Sequence, residues 1–305
     1  MVDLGVLRER ARIVRAIRRF FDEQGFLEVE TAVRIPAPAP EEHIDCPPVV
    51  GGGYLRASPE LQMKKLLAGG MDRIYQIGPC FREGEKGSRH NPEFTMIEWY
   101  RRKADYLDIR KDLEILVSRL FAGNREQGTG NRLDLSTSQL LNFSTLKVRD
   151  AYRDHAGWDP WTEWDQDRFD FDMATKIEPA IKSIGGGVFL MDYPPQAASL
   201  AKLSRPSKHP SLPDFSYAER WEFYWDGLEL ANCFTELCDR DEQLKRFEKA
   251  KDARKLLKES DYPLDYEFID SLSRIEHAAG VALGIDRLVM ILTQTKEISA
   301  VRAHI

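Results

Sequence analysis

The chain has 305 residues, of which 42% are hydrophobic and 31% are charged, and its formal net charge is −6. This balance indicates a globular protein and disfavours a strongly basic nucleic-acid binder; no apolar run approaches the roughly 18 residues of a membrane span, and no signal peptide is recognised. The four cysteines have no CxxC spacing and form no zinc pattern with His43, His90 and His277, so we expect free thiols in a cytoplasmic protein.

The first half of the chain alternates helices with short strands. An amphipathic helix is predicted over residues 6–24, ended by Gly25, and a short strand over 26–31. After a loop rich in Pro and Gly, we predict a strand at 54–57 and a helix over 58–69, with Ser58 as its N-cap and Pro59 in its first turn. Strands over 72–83 and 92–102 then form a hairpin around the loop at 84–91.

The second half is helical at first and then forms strands. The pattern predicts a helix over 105–121, a mobile excursion over 123–145, mostly helix over 146–184 and a strand over 187–194. Two strands follow within 216–237 and turn at Asp226-Gly227, before a charged helix over 240–259 and a strand running into a helix over 279–292. Hairpins flanked by helices predict an α+β fold with a mainly antiparallel sheet.

The stretch "RHNPEFTMIEWY" contains a carboxylate where a core residue is expected. Phe94, Met96, Glu98 and Tyr100 alternate along the predicted strand and therefore share one face. Burying Glu98 without a partner would cost several kcal/mol, on the order of 2–7 for a polar group and more for a charge. This face is therefore either exposed to solvent or lines a site that binds a cation.

Three further charged groups lie on the predicted strands. Arg82 ends one hairpin strand opposite the start of the next, and the planar fork of an arginine suits phosphate or carboxylate. Glu229 and Glu236 are seven residues apart, so a bulge near Asn232 is needed to bring both carboxylates to one Mg²⁺ ion. Taken singly, Arg82 is more often a surface ion-pair residue, and the two glutamates are more often solvated strand residues.

The third group is "GVALGIDRL", a glycine-punctuated strand that runs into a helix. Gly280 and Gly284 allow a ligand to approach the backbone closely, and Arg287 in the first helical turn offers a second clamp for phosphate. By itself this pattern is a weak signal, because glycine-rich turns between strand and helix are common. Its position after the other two groups makes the combination specific.

In this order, Arg82, "RHNPEFTMIEWY", "ELANCFTEL" and "GVALGIDRL" resemble the catalytic domain of class II aminoacyl-tRNA synthetases, and specifically the lysyl branch. "LRASPELQMKKLLAGG" resembles the amino-acid-binding segment of that branch. The first predicted helix begins near residue 6, so we expect residues 1–305 to be a single catalytic domain without an N-terminal anticodon-binding OB domain. Such a stand-alone core resembles the elongation factor P–(R)-β-lysine ligase family.

The resemblance implies an activity. Members of this family activate lysine or (R)-β-lysine with ATP and Mg²⁺ as an aminoacyl-adenylate and transfer it to a lysine side chain of elongation factor P. The resemblance also implies a homodimer, and no stable tRNA binding is expected. The alternatives are a tRNA-charging enzyme, a free-standing lysine adenylase that serves another carrier, and an inactive regulatory module. The last is disfavoured because Arg82, Glu229, Glu236 and Arg287 are all present.

Residue roles are implied by the same resemblance. Arg82 would bridge the amino acid carboxylate and the α-phosphate, and Arg287 would lie near the γ-phosphate, as the two catalytic residues. The ATP-binding set is Arg82, Glu83, Glu85, His90, Asn91, Phe94, Glu229, Leu230, Gly284 and Arg287, with Phe94 under adenine and Glu229 and Glu236 as Mg²⁺ ligands. The lysine-binding set is Ser58, Pro59, Glu60, Glu98, Tyr100, Asn232, Glu236 and Ala282, in which Glu98 and Tyr100 would bind the terminal ammonium and Glu60 the other amino group.

The chain departs from the class II pattern at several positions. Gly84 stands where motif 2 usually has a glutamate; of the flanking Glu83 and Glu85, we favour Glu85 for the adenine edge. Ala32 replaces the proline that usually ends motif 1 at the dimer interface. Ala282 and Ser58 follow the ligase family rather than the tRNA synthetases, and a methyl group at 282 would favour a displaced amino group.

Overall fold

An eight-stranded sheet organises the computed structural model, which describes residues 3–42, 44–125, 141–206, 215–257 and 259–303. The strands are β1 (Leu27–Glu28), β2 (Arg34–Ile35), β3 (Tyr54–Leu55), β4 (Arg73–Phe81), β5 (Glu93–Arg102), β6 (Ser144–Lys147), β7 (Gly187–Tyr193), β8 (Ala218–Trp225), β9 (Leu228–Thr235) and β10 (Ala278–Gly284). Their order is β1-β4-β5-β10-β9-β8-β7-β6, and β2 pairs with β3 in a separate ribbon. Among the described strands, only β1–β4 and β6–β7 pair in parallel, so the predicted mainly antiparallel α+β fold is confirmed.

Helices cover the two faces of this sheet. They are α1 (Leu4–Glu23), α2 (Glu60–Ala68), α3 (Tyr106–Arg125), α4 (Val148–Ala151), α5 (Gln166–Asp172), α6 (Glu178–Ile184), α7 (Arg240–Leu257), α8 (Tyr266–Ser271) and α9 (Ile285–Thr293). None of the helices in these described ranges combines the length and the apolar character needed to cross a membrane.

The alternation of β5 separates a core face from a site face. Ile97 and Trp99 point into a large core shared with Phe21 of α1 and with residues of α3 and α9. Tyr100 points the other way and packs with Leu61 of α2 and with α8. The aromatic and aliphatic core therefore holds one face of β5 rigidly, while the other face presents Glu98 and Tyr100 to a cavity.

Most predicted elements are present, with shifted ends. The 26–31 strand is reduced to Leu27–Glu28, and α2 begins at Glu60 with Pro59, not Ser58, in the N-cap position. Ser58 Oγ nevertheless accepts a hydrogen bond from the Glu60 amide at 3.0 Å, so it still satisfies one free amide of the first turn. Strands β2 and β6 and helix α8 were not predicted, and β6 begins within the predicted mobile excursion. Residues 126–140 of the predicted mobile excursion lie outside the described residues.

A bulge does interrupt β9, but at a different residue from the predicted one. The partners of β8 step from Phe223–Ala231 to Tyr224–Glu229, so Leu230 is the additional residue. The bulge turns Glu229 toward the same cavity as Asn232 and Glu236. The prediction of a bulge is confirmed, and its position near Asn232 is corrected by two residues.

Candidate active site

A cavity of about 390 Å³ opens on the site face of the sheet, and we call it the main cavity. Helix α2, the β4–β5 hairpin, β9 and β10 supply its walls. Of the predicted site residues it brings together Ser58, Glu60, Arg82, Glu85, His90, Asn91, Phe94, Glu98, Tyr100, Glu229, Leu230, Asn232, Glu236, Ala282, Gly284 and Arg287. Pro59 and Glu83 do not line it; Pro59 caps α2, and the exposed Glu83 donates its backbone amide to Asp45.

At the inner end of the main cavity lies a group that we call the carboxylate chamber: Glu60, Lys64, Glu98, Tyr100 and Glu236. Glu98 is 1% exposed and accepts hydrogen bonds from Ser58 Oγ at 2.6 Å and from the Tyr100 hydroxyl at 2.7 Å. Burial, followed by repulsion from Glu60, raises the pKa of Glu98 to about 7. A cationic ligand would favour its ionised form.

Lys64 brings an ammonium into this chamber, and sequence reasoning missed it. Its Nζ lies 2.5 Å from Glu60 Oε1 and also forms an ion pair with Glu236. Burial lowers the pKa of Lys64, but Glu236 and Glu60 outweigh burial and raise it. A signal was available, because Glu60 and Lys64 are four residues apart on a predicted helix and therefore share one face.

Glu236 remains short of hydrogen bonds despite this ion pair. Its Oε2 is paired with the Lys64 ammonium, whereas its Oε1 has no hydrogen-bond donor among the described residues. Burial raises its pKa to about 8, although Lys64 lowers it. A buried carboxylate with free acceptor capacity fits a ligand that carries N–H donors.

Glycine at position 280 keeps the chamber open. Gly280 of β10 is paired with Tyr100 of β5, and Ala282 is paired with Glu98. A Cβ added at Gly280 would lie 2.1 Å from Tyr100 Cδ1 and 2.9 Å from Glu236 Oε1. No side chain fits at 280 while Tyr100 keeps this position. The close packing of the Tyr100 ring against the backbone therefore explains why residue 280 is a glycine.

The outer end of the main cavity holds two guanidinium groups. Arg82 follows β4, lies 5.2 Å from the centre of the Phe94 ring and bonds Glu85 Oε1 at 3.3 Å. Arg287 donates to the backbone oxygen of Glu229 at 2.8 Å, and its Nη2 lies 2.6 Å from His90 Nε2. Two fixed cations beside an aromatic face are suited to a nucleotide, because they offset phosphate charge while the ring stacks on a base.

Comparison with known proteins gives the family of this chain. The family model for class II tRNA synthetases (D, K and N) matches residues 4–304. The chain belongs to this class II family. Among its relatives, proteins called elongation factor P–(R)-β-lysine ligase from Yersinia enterocolitica and Vibrio cholerae are each 36% identical to it over 97% of this chain and 94% of theirs. A protein with the same name from Proteus mirabilis is 34% identical over the same shares of the two chains.

For a class II enzyme, the two predicted Mg²⁺ ligands have different surroundings. Glu236 is held by Lys64 in the carboxylate chamber, whereas Glu229 lies beside Arg287 and Glu222. Burial and repulsion from Glu222 raise the pKa of Glu229, and both carboxylates line the main cavity. The predicted pairing of Glu229 with Glu236 on one Mg²⁺ ion stays a prediction, and Glu222 is a further carboxylate that lines the same cavity as Glu229.

Sequence reasoning missed Glu222 because the residue lies within a largely apolar stretch of β8. It follows Trp221 in an apolar run of β8, and it reaches the cavity across the hairpin that turns at Asp226-Gly227. Its oxygens accept hydrogen bonds from Arg220 Nη2 at 2.5 Å and from the Tyr224 hydroxyl at 2.6 Å. Two carboxylates without a third acidic, cysteine or histidine ligand in the described part of the chain fit Mg²⁺ that also takes oxygens from phosphate and water.

Proposed function

We propose that this protein uses ATP to activate lysine or (R)-β-lysine as an aminoacyl-adenylate and transfers the aminoacyl group to a lysine side chain of elongation factor P. The observation that carries this proposal is the carboxylate chamber at the inner end of a cavity whose outer end holds Arg82 and Arg287. The names of the relatives from Yersinia enterocolitica, Vibrio cholerae and Proteus mirabilis support the acceptor.

The charges of the carboxylate chamber suit a diamino acid. Three carboxylates and one lysine ammonium leave two negative charges when all four groups are ionised, and two ammonium groups of a substrate would neutralise them. An apolar or acidic amino acid would leave these buried groups unpaired, at about 1–3 kcal/mol or more for each group. We assign the terminal ammonium to Glu98, Tyr100 and Glu236, and the second amino group to Glu60.

Adenylation requires two anions to meet. The carboxylate of the amino acid attacks the α-phosphate of ATP, and pyrophosphate leaves with the electron pair of the broken P–O bond. Arg82 lies over the Phe94 ring and lines the same cavity as the carboxylate chamber, so its guanidinium can offset charge on both reacting groups. Arg287 would hold the leaving phosphates, and Mg²⁺ held by Glu229 and Glu222 would neutralise charge on them.

Ala282 is our candidate for the residue that selects between L-α-lysine and (R)-β-lysine. Its backbone is paired with Glu98, so its methyl group lies in the wall beside the carboxylate chamber. A methyl group there would displace the substrate backbone by about one bond and favour an amino group on the β-carbon. We therefore expect faster reaction with (R)-β-lysine.

We further propose a cytoplasmic homodimer. The four cysteines are free thiols, which is typical of reducing compartments. Strand β1 is at the edge of the sheet and exposes Leu27 at 56% of its surface, close to the end of the predicted motif 1. A second copy packed on this edge would cover both its free backbone groups and its apolar side chain.

The proposal is tested by the mass of elongation factor P after incubation with this protein, ATP, Mg²⁺ and either L-α-lysine or (R)-β-lysine. A parallel reaction supplies tRNA as the acceptor, and we expect no stable charging. We expect a mass gain of one lysyl group that disappears with Arg82→Ala. Lysine-dependent pyrophosphate exchange without any mass gain would support the adenylation step and reject this acceptor.

A further inference from the structure

A second cavity, of about 650 Å³, adjoins the main cavity. The two share Glu41, Leu200, Arg220, Glu222 and Glu229, so they meet along one wall. Helix α7 and the segment from Pro195 to Leu203 form much of the remaining wall of the second cavity. Most residues assigned to ATP and lysine line the main cavity, and of the assigned residues only Glu229 and its proposed Mg²⁺ partner Glu222 also line the second cavity.

The lining of the second cavity suits a cationic, peptide-like ligand. Seven carboxylates and four cationic side chains line it, which leaves an excess of negative charge. Gln243 of α7 also lines it, is 1% exposed, and has no hydrogen-bond partner for its amide oxygen or nitrogen within the described ranges. A buried amide without a partner fits a ligand that carries its own donors and acceptors.

Glu41 lies where the two cavities meet, and its carboxylate is free. It makes no side-chain hydrogen bond and no ion pair with any described residue, whereas Glu222 holds Arg220 and Glu242 holds Arg246. Burial and repulsion from Glu60 raise the pKa of Glu41 above its usual value.

A rigid anchor fixes the backbone of this loop. The buried Arg254 of α7 donates to the Glu41 backbone oxygen at 2.6 Å and to Asp45 Oδ1 at 2.5 Å. The Tyr262 hydroxyl donates to Asp45 Oδ1 at 3.1 Å and accepts from the Cys46 amide at 2.7 Å. The backbone of Glu41 is therefore held at the junction of the two cavities, while its carboxylate makes no hydrogen bond of its own with a described residue.

Building on the proposed function, we propose that the second cavity admits the acceptor lysine and that Glu41 is the general base for its amine. The acceptor ammonium gives one proton to Glu41, and the freed nitrogen lone pair forms a bond to the carbonyl carbon of the adenylate. The C–O bond to phosphate then breaks, and AMP leaves with the electron pair. The second proton of the nitrogen passes to the AMP phosphate and from there to water, so two protons are released for each amide formed.

The test separates the two half-reactions. We expect Glu41→Gln to lower single-turnover transfer from preformed adenylate to elongation factor P by about 10²–10⁴-fold, the range for loss of a general base. Lysine-dependent pyrophosphate exchange, which needs no acceptor, should stay within about twofold, and Glu41→Asp should restore part of the transfer rate. The matched control is Glu248→Gln, because Glu248 is an exposed carboxylate of α7 that does not line the second cavity.

A second variant tests whether the acceptor lysine enters through the second cavity, and it leaves Glu41 unchanged. Ala250 of α7 lines the second cavity, so Ala250→Trp should obstruct it and slow transfer while exchange continues. The inference is overturned if Glu41→Gln transfers at the wild-type rate, if it loses exchange as strongly as transfer, or if Ala250→Trp transfers normally. A wild-type protein that never modifies elongation factor P would instead reject the proposed function, and the inference with it.

Discussion

Lys64 and Glu236 form an ion pair that is almost sealed from solvent, with side chains that are 1% and 2% exposed. The same ammonium also bonds Glu60, so one lysine joins α2 to the end of β9 across the carboxylate chamber. Burying these charges is costly, and their attraction offsets that cost only while both partners are present. The stability of the fold therefore depends on both charged side chains of this pair remaining in the carboxylate chamber.

We therefore expect Lys64→Met to lower the free energy of unfolding by about 3–5 kcal/mol, the usual result of leaving a buried charge without its partner. Urea denaturation at neutral pH measures this change. The double variant Lys64→Met with Glu236→Gln should recover a large part of the loss, since it removes the unpaired carboxylate. Additive losses in the double variant would show that the two side chains do not depend on each other.

Lysine binding should weaken as the pH falls through neutrality. Glu98 has a pKa of about 7, and its protonated form cannot neutralise an ammonium group. Lowering the pH from about 8 to about 6 should protonate about nine in ten of these carboxyls and raise the KM for lysine about tenfold. Pyrophosphate exchange against lysine concentration measures this. In Glu98→Gln the KM should be higher throughout, and the pH dependence that remains should come from Glu236, whose pKa is raised to about 8.

The sequence predicts which strands carry the site better than it predicts which side chains pair with one another inside the site. Alternation in β5 placed Glu98 and Tyr100 on one face, and both do line the cavity. Pairing across strands has no comparable signal in one sequence. Lys64 reads as one more charge on an amphipathic helix, and Glu222 reads as a charge within an apolar strand.

The bulge illustrates the same limit. A seven-residue spacing requires an irregularity somewhere between Glu229 and Glu236, but it does not fix which residue is added. The pairing of β8 with β9 sets the bulge at Leu230, and this pairing depends on the hairpin turn at Asp226-Gly227. A sequence prediction of a bulge can therefore be correct while its predicted position is wrong.

A methyl group at position 280 should disable the carboxylate chamber. A Cβ there would lie 2.1 Å from the Tyr100 ring, so Gly280→Ala must displace Tyr100 and disturb its bond to Glu98. We expect kcat/KM for lysine activation to fall by at least about 100-fold, or about 2.7 kcal/mol of transition-state stabilisation. Gly87→Ala is the control, because nothing lies within 4 Å of a Cβ added in that exposed turn. Near-normal activity of Gly280→Ala would mean that Tyr100 is not needed in its present position.

The proposed metal pair, Glu229 with Glu222, makes opposite predictions for Glu229 and for Glu236. If Glu229 and Glu222 hold Mg²⁺, Glu229→Gln should raise the Mg²⁺ concentration needed for half-maximal pyrophosphate exchange by about tenfold or more, as loss of one of two carboxylate ligands implies. Glu236→Gln should leave that concentration nearly unchanged and raise the KM for lysine, because Glu236 is paired with Lys64 and not with Glu229. Titrations of Mg²⁺ at saturating lysine, and of lysine at saturating Mg²⁺, distinguish the two effects. A Mg²⁺ shift in Glu236→Gln equal to that in Glu229→Gln would instead support the pairing of Glu229 with Glu236 that the sequence predicts.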